Sequence, residues 1–322
     1  MTDRTRAIMA ALAPGIAKLS SDRRVRRDIL LGQLRKLAMA TAVLALLMLF
    51  AGGGLFLLAI VAGLVIGAWL THRAQLEWEK TVRAEVIPAV CAAIDQLDYQ
   101  PGPPVGNFLS PFETLGLVGS SNRKELQHCF SGSHEGRRFE CLHASLQHRS
   151  GGKSGSTTPV FHGMLFRIEQ GSETPSPVVI LPNVTTLRRQ TGKTLVPLGN
   201  PDFDRVFLVS HELEAEAGEA LVHATVSPPL QQAMLAINRG ESRETPDMAA
   251  LRVGFIYDSI YLALSRWEHT STLLGLKIQS PRHFLETRSL LREQADVQQT
   301  VATMVQDITT VHRIIAALGN SA

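Results

Sequence analysis

The chain has 322 residues, of which 45% are hydrophobic and only 6% aromatic. So few aromatic side chains argue against a platform on which nucleic-acid bases stack. The net charge is +3, but nine Lys and Arg residues and only three acidic residues fall within residues 1–36. This basic segment precedes a long apolar run, which favours anionic lipid headgroups, and not nucleic acid, as its partner. The three cysteines have no regular spacing and predict no disulfide framework.

The apolar run covers residues 37–70 and contains no charged side chain. As one helix it would be about 51 Å long, whereas the hydrocarbon core of a bilayer is about 30 Å thick and takes about 20 residues. Gly52, Gly53 and Gly54 lie at its midpoint, and glycine tolerates the backbone conformations of a tight turn. The run therefore predicts a transmembrane helical hairpin with its turn near residues 52–54.

Basic residues flank this run on both sides, and none separates its two halves. The positive-inside rule then places both termini in the cytoplasm, in a multi-pass membrane protein. Residues 1–36 become a basic cytoplasmic segment, and 71–98 a helix that leaves the membrane. The alternative is one long span that uses its small residues for packing, and it would put the C-terminal domain outside the cytoplasm.

Residues 108–322 follow a linker rich in Pro and Gly and mix strand and helix signals. Apolar runs predict strands at "LQHCFSG", "RRFECLHASLQH", "VFHGMLFRIEQ", "SPVVILP" and "DRVFLVS". Ser227, Pro228 and Gly240 mark the ends of a helix, and "LRVGFIYDSIYLALS" predicts a hairpin that turns at Asp258 and Ser259. The expected fold class is α+β, with a mainly antiparallel sheet domain and a long C-terminal helix.

The C-terminal helix carries apolar residues at alternating spacings of four and three, which is typical of a coiled-coil seam. Two interpretations stay open for this seam: packing within the chain, along a matching stripe at residues 82–97, or self-association and binding of a protein partner. The seam consists of Val297, Val301, Met304, Ile308, Val311, Ile315 and Leu318.

Two fragments resemble catalytic motifs but are incomplete. The "GKT" at residues 192–194 lacks the glycine that a phosphate-binding loop needs five residues before Gly192, because that position is Leu187. The "HELEA" at residues 211–215 begins like a zinc-peptidase helix, but Ala215 stands where the second histidine is required. We therefore expect neither a catalytic residue nor a cofactor from these motifs.

Cysteine and histidine residues are densest between residues 128 and 148. On a strand, Cys141 and His143 point to the same face, as two metal ligands would. Cys129 and His134 are the candidates to complete the four ligands that zinc takes. The spacing fits no compact zinc knuckle, and buried cysteines with surface histidines are the alternative.

The order of these features resembles a bacterial family catalogued as domain of unknown function 3137. The resemblance is carried by Phe161, Gly163 and Phe166 in "VFHGMLF", and by "DFDRVFLVSHELEAEA", "LVHATVSPPLQQAMLAI" and "FIYDSIYLAL". It covers roughly residues 30–318 and implies a double membrane span followed by one α+β domain. It implies no reaction, because the family has no assigned activity.

Together with this resemblance, the sequence thus predicts an integral protein of the bacterial inner membrane whose cytoplasmic domain is an interaction or scaffold module. The alternative is a membrane-surface enzyme or a metal- or ligand-binding domain that uses the Cys/His segment at 128–148.

Overall fold

The computed structural model describes residues 3–50, 56–93, 97–103, 106–134, 136–151, 155–183, 194–241, 251–273, 276–281, 284–285, 290–291 and 297–319. The chain divides into two compact units. The helical unit comprises residues 1–93 and 285–308, and the sheet unit comprises residues 94–284 and 309–322.

The helical unit is built on two helices of 38 residues each, α2 (Ala13–Phe50) and α3 (Phe56–Ala93), after a short α1 (Asp3–Ala11). Helices α2 and α3 lie antiparallel. At one end Lys18 Nζ is 2.8 Å from Glu85 Oε1, and farther along, Gly67 faces Leu37. The predicted turn at Gly52, Gly53 and Gly54 lies outside the described residues. The α3 helix runs without a break through Pro88.

Small residues bring the two helices together inside the apolar run. Ala59 is buried, and Gly63 and Gly67 follow it at intervals of four on the same face of α3. A Cβ atom on Gly63 would lie only 2.7 Å from Cγ2 of Thr41, so the helices are too close there for any larger residue. Thr41, the one clearly polar residue of the run, therefore sits between the two helices.

Beyond the apolar run, α3 buries one face and exposes the other, as the helix of a water-soluble protein does. The buried side chains of this half are Trp78, Val82, Val86, Ile87, Val90 and Cys91. The exposed face carries ion pairs such as Lys80 with Glu77, 3.6 Å apart.

The C-terminal helix, α8 (Val297–Gly319), confirms the predicted long amphipathic helix. Six residues of its seam are buried, with at most 5% of each side chain exposed: Val297, Val301, Met304, Ile308, Val311 and Ile315. Asp307 is buried among them, and its Oδ2 accepts a hydrogen bond from the backbone N–H of Leu285 at 3.2 Å. The seam is thus covered by the chain itself, in agreement with packing within the chain.

The sheet unit contains an antiparallel sheet that confirms the expected α+β class. Its seven strands in the described part of the chain run in the order β1-β2-β3-β4-β6-β5, with β7 paired to the other edge of β4. They are β1 (Leu97–Gln100), β2 (Arg123–His134), β3 (Arg137–Arg149), β4 (Thr157–Pro182), β5 (Thr194–Leu195), β6 (Phe207–His211) and β7 (Leu251–Ser265).

Strand β4 is the central strand of the sheet: it has 26 residues and pairs with three neighbours. Its first half pairs with β3 and its second half with β6, while β7 follows both halves on the other side. The two strands predicted at "VFHGMLFRIEQ" and "SPVVILP" are therefore one strand. The predicted hairpin at Asp258 and Ser259 is wrong: β7 continues through both residues, because β4 offers it a partner along its length.

Short helices accompany the sheet: α4 (Ser110–Thr114), α5 (Pro201–Val206), α6 (Ala215–Thr225) and α7 (Pro228–Glu241). Strands β8 (Trp267–Leu273) and β9 (Leu276–Pro281) form a separate pair. The predicted strand "DRVFLVS" begins later than expected, since α5 occupies its first residues. Asn200 caps α5, with its Oδ1 accepting from the N–H of Phe203 at 3.4 Å.

Residues alternate between the two faces of the sheet. One face, called the α4 face, packs Leu142, Ala144 and Leu165 against Phe112 of α4. The other, called the Phe284 face, packs Phe130 and His143 against the ring of Phe284. Because successive residues of a strand point to opposite faces, these two sets identify the face on which the neighbouring side chains of β3 and β4 lie.

Candidate functional site

The most unusual surface of the chain is a band of exposed apolar side chains on α2 and α3. Of the 21 large hydrophobic residues exposed in the described chain, 15 lie between Met39 and Trp69. We call this set the apolar band: Met39, Val43, Leu44, Leu46, Leu47, Leu49, Phe50, Leu57, Leu58, Ile60, Val61, Leu64, Val65, Ile66 and Trp69. An apolar surface of this extent marks a membrane or protein interaction site.

The band ends at the same level on both helices. On α2 the nearest charged residue before the band is Lys36, which is exposed. On α3 it ends at Trp69, which is 55% exposed and carries the guanidinium of Arg73 5.5 Å from the centre of its ring. The hydroxyl of Thr71 donates a hydrogen bond to the carbonyl of Gly67 in the same helix, at 2.9 Å. Aromatic and cationic side chains at one level are typical of a membrane–water boundary.

Both helices are long and apolar enough to cross a membrane, judged by length and composition. Their backbone groups are bonded within each helix, which hydrocarbon requires of any inserted segment. The windows of highest hydropathy are almost entirely exposed, with 0% of that of α2 and 6% of that of α3 buried. The pair is therefore compatible with membrane association, and no core built from the described residues covers it.

The sheet unit contains a buried histidine cluster on the Phe284 face. His143 Nε2 and His162 Nε2 are 3.3 Å apart, and both side chains are at least 94% buried. The ring of His143 stacks on Phe284, and the guanidinium of Arg266 lies 5.8 Å from the centre of that ring. The contact is a hydrogen bond when one of the two Nε2 atoms carries a proton and donates it and the other accepts.

His128 extends this cluster toward the sheet edge. It lies in a β-bulge where His128 and Cys129 together oppose Leu142, and its φ angle of +54° lies in the left-handed region. Its Nδ1 is 2.8 Å from the hydroxyl of Tyr99 on β1. The bulge thus directs the side chain of His128 toward Tyr99, and the contact between these two residues joins the edge strand β1 to β2.

Three of the four predicted metal ligands have described side chains, and these three do not lie on one face of the sheet. Cys141 pairs with Phe130 and, like His143, lies on the Phe284 face. The bulge sends Cys129 to the α4 face, where it belongs to the core cluster. The side chain of His134 lies outside the described residues. Among the described residues, no group of three or more His, Cys, Asp or Glu side chains could hold a metal ion.

Burial also suppresses the reactivity of Cys129. Loss of hydration, with a smaller contribution from the negative charge of Glu140, raises the pKa of this thiol to about 11. A thiol, unlike a thiolate, is neither a good nucleophile nor a good metal ligand. This residue is therefore part of the core.

His211, the first residue of "HELEA", is buried between the sheet and helix α6. It is 2% exposed, and neither ring nitrogen has a hydrogen-bond partner in the part of the chain that the structure describes. A Cβ atom on Gly218 of α6 would overlap the ring. This glycine therefore makes room for the histidine.

Polar side chains around α5 and α7 form local hydrogen bonds. The carboxylate of Asp204 accepts the backbone N–H groups of Leu198 and Gly199, each at 3.1 Å. Asn200 donates to Gln231 of α7 at 2.9 Å, and Gln231 donates to the carbonyl of Val226 at 3.1 Å. These bonds join α5, α6 and α7.

His162, Arg266 and Phe284 were not predicted to meet His143. Only the contact with His162 had a local signal, because His162 lies on the strand next to that of His143 and points to the same face. Arg266 and Phe284 are far from both in sequence, so only the course of β7 and the segment after it reveals them.

Comparison of the chain with protein-family models, with curated proteins and with solved structures finds no match.

Proposed function

We propose that this chain is a bacterial inner-membrane protein in which α2 and α3 form a transmembrane hairpin with both termini in the cytoplasm. The sheet unit is then a cytoplasmic interaction or scaffold module tethered to the membrane. The observation that carries the proposal is the apolar band, since exposing 15 large apolar side chains to water is very unfavourable.

The charges beside the band support the orientation. Because α2 and α3 lie antiparallel, the basic residues before residue 37 and after residue 70 belong to the same end of the hairpin. That end also carries Trp69 with Arg73. By the positive-inside rule it faces the cytoplasm, where it meets anionic headgroups.

The conspicuous polar residues described in the interior of the sheet unit have structural contacts, which agrees with a module that acts through its surface. Its histidine cluster is buried under Phe284, Cys129 is held as a thiol, and the conspicuous polar residues of its motifs brace the loops around α5 and α7. The alternative, a metal- or ligand-binding domain at 128–148, requires ligands from opposite faces of the sheet. The resemblance to the family of unknown function 3137 stays a prediction and adds only topology.

Two reporters fused in turn to Ala322 test the topology. One reporter is active only in the cytoplasm and the other only outside it. Activity of the cytoplasmic reporter alone is expected. Activity of the other reporter would mean a single long span and would overturn the hairpin.

Cross-linking in intact cells, followed by purification of the full chain from the membrane, tests the scaffold role. A defined partner, or a second copy, bound in stoichiometric amounts is the expected result. A monomer that binds one metal ion or small molecule instead, and loses it when His143 is changed to Phe, would favour the alternative.

A further inference from the structure

We infer that the sheet unit binds a second copy of this chain through a patch of alternating charges at the uncovered end of the α4 face. The patch, called the alternating-charge patch, consists of Arg138 and Glu140 on β3 with Arg167 and Glu169 on β4. The inference rests on the proposed membrane tether and names the partner of the scaffold module.

Helix α4 covers only part of its face of the sheet. The ring of Phe112 on α4 meets the ring of Tyr261 on β7 edge-on, with 5.3 Å between their centres. Tyr261 pairs with Arg167 of β4, which is exposed, as is Arg138 of β3. The cover by α4 therefore ends at Tyr261, and the alternating-charge patch begins there.

The four charges of the patch alternate in sign both across and along the strands. Glu140 pairs with Arg167 across the two strands, and continuation of the same register places Arg138 opposite Glu169. On each strand the two charged residues are two positions apart, so they lie on the same face. Each charge thus has neighbours of the opposite sign only.

These opposite charges do not neutralise one another within one copy. Among the described residues none of the four forms an ion pair, although cross-strand neighbours of opposite sign often do. The closest polar contact of Arg167 is to Ser259, with 3.5 Å between Nε and Oγ. Together with Ser131 of β2, the four side chains line a hollow of about 220 Å³. The charged groups around this hollow are therefore available to a partner.

A patch with this pattern is complementary to itself. A two-fold axis that is parallel to the strands and lies between β3 and β4 brings Glu140 opposite Arg167 of the second copy. The same axis brings Arg138 opposite Glu169 of the second copy. All four contacts then join a guanidinium to a carboxylate, a pairing with strong and directional hydrogen bonds. In a two-fold dimer one patch serves both copies, whereas a patch of a single sign would repel its own copy.

An exposed aromatic side chain lies beside the patch and adds apolar contact to the charges. Tyr257 is two residues from Ser259 on β7 and is 65% exposed. Its φ angle of +53° is uncommon for a large side chain, and Gln170 of β4 donates to its carbonyl at 3.2 Å. Tyrosine and arginine are the residues that most often dominate the energetics of protein interfaces.

The membrane tether makes a small patch sufficient. Stable complexes of soluble proteins bury about 1,200–2,000 Å², which is more than four charged residues and one tyrosine supply. Two copies anchored in the same membrane are confined to one surface, and confinement raises their effective concentration. The seam of α8 does not compete for this role, because its residues are buried within the chain.

Fluorescence energy transfer between two forms of the full chain tests the inference. The forms carry different fluorescent proteins fused to Ala322 and are reconstituted together in vesicles of phosphatidylcholine with phosphatidylglycerol. Transfer should saturate as the ratio of protein to lipid rises, and should decrease with added salt because the contact is between exposed charges. Transfer no greater than that of randomly spread monomers would overturn the inference and leave the tether intact. Failure to insert into the vesicles would overturn the tether itself.

A pair of charge-reversed variants identifies the surface. Arg138→Glu with Arg167→Glu makes the patch entirely negative, and Glu140→Arg with Glu169→Arg makes it entirely positive. Either variant alone should associate at least about tenfold more weakly than the unchanged chain, because repulsion replaces attraction. An equimolar mixture of the two should recover the association, since a negative patch then faces a positive one. This recovery also shows that both variants are folded.

The matched control reverses two exposed charges on α6, outside the patch. Glu216→Arg with Glu219→Arg should leave the association unchanged. Association that survives either reversal in the patch would mean that the copies meet through another surface. Loss without recovery in the mixture would mean that the patch does not pair with itself. Both results would overturn the inference.

Discussion

Large apolar side chains are buried in the sheet unit and exposed in the hairpin. In the sheet unit Phe130, Phe166 and Phe255 are completely buried. In the hairpin, Phe50 is 81% exposed and the side chains of the apolar band surround both helices. The chain therefore has enough apolar residues to build a complete core in the sheet unit, and the exposure of the apolar band does not reflect a shortage of them.

Polar groups show the same contrast. The sheet unit buries His143, His162 and Gln231 and gives them polar partners, because an unsatisfied polar group in a protein core is costly. The apolar run has almost nothing polar to satisfy, and its Thr41 is turned toward Gly63 of the partner helix. The proposed membrane insertion of α2 and α3 accounts for this contrast, because the two units would then be in two different solvents. The predictions below test it.

Two charges placed in the apolar band should abolish membrane insertion. Each arginine near the middle of a span costs about 2.5–3.5 kcal/mol, so the Leu46→Arg and Val61→Arg double variant should lose about 5–7 kcal/mol of insertion free energy. Cell fractionation with carbonate extraction measures this. The control is Val25→Arg, at a residue 56% exposed on α2 outside the band, and it should stay membrane-bound. Full retention of the double variant would mean that the band faces a protein.

In the sheet unit the corresponding sensitive position is Gly163 on β4. A Cβ atom there would collide with the carbonyl group of Leu264 on β7, whose carbon would be 3.0 Å away. Gly163→Ala should therefore lower the free energy of unfolding by about 2–4 kcal/mol. Chemical unfolding of the full chain in detergent measures it. Gly171→Ala is the control, because nothing lies within 4 Å of a Cβ atom at that position of β4.

The contact between His211 and Gly218 should show a strong coupling. Gly218→Ala alone should destabilise the sheet unit by about 2 kcal/mol, because the methyl group overlaps the buried ring. In a His211→Ala background the same change should be neutral or stabilising by up to about 1 kcal/mol, since alanine is the better helix former. A double-mutant cycle by urea unfolding gives the coupling, and additive effects would contradict the contact.

Alkaline pH should destabilise the sheet unit through Cys129. Its pKa is raised to about 11 in the folded chain, above that of an exposed thiol, so the unfolded chain loses this proton first. The stabilising effect is complete below the pKa of the unfolded thiol and disappears as pH rises through the folded value. Urea midpoints measured from neutral to alkaline pH should fall less in Cys129→Ala than in the unchanged chain.

The ion pair between Lys18 and Glu85 should contribute least. Its atoms are 2.8 Å apart, but the side chains are 61% and 44% exposed. Pairs of this kind contribute about 0–1 kcal/mol. A double-mutant cycle with Lys18→Met and Glu85→Gln should therefore give a coupling below about 1 kcal/mol, and one that decreases with added salt.

Much of the hairpin could be predicted because its signals are local. An uncharged run too long for one span, a central glycine triplet and basic flanks are all read along the chain. The helix at residues 228–241 was equally predictable, since Ser227 and Pro228 act on the first turn itself. The Cys/His site could not be predicted in the same way. Whether Cys129 joins Cys141 depends on a bulge of one residue, and one residue reverses the face of the sheet.

By itself, then, the sequence determined where the apolar surface lies, which helices carry it and that an antiparallel α+β unit follows, because hydropathy and helix signals act within a few residues. Tertiary structure alone decided that β4 is one strand, that β7 continues through Asp258, and that His143 meets His162 under Phe284. These features depend on strand partners distant in sequence, and a strand takes its length, register and facing side from the strand beside it.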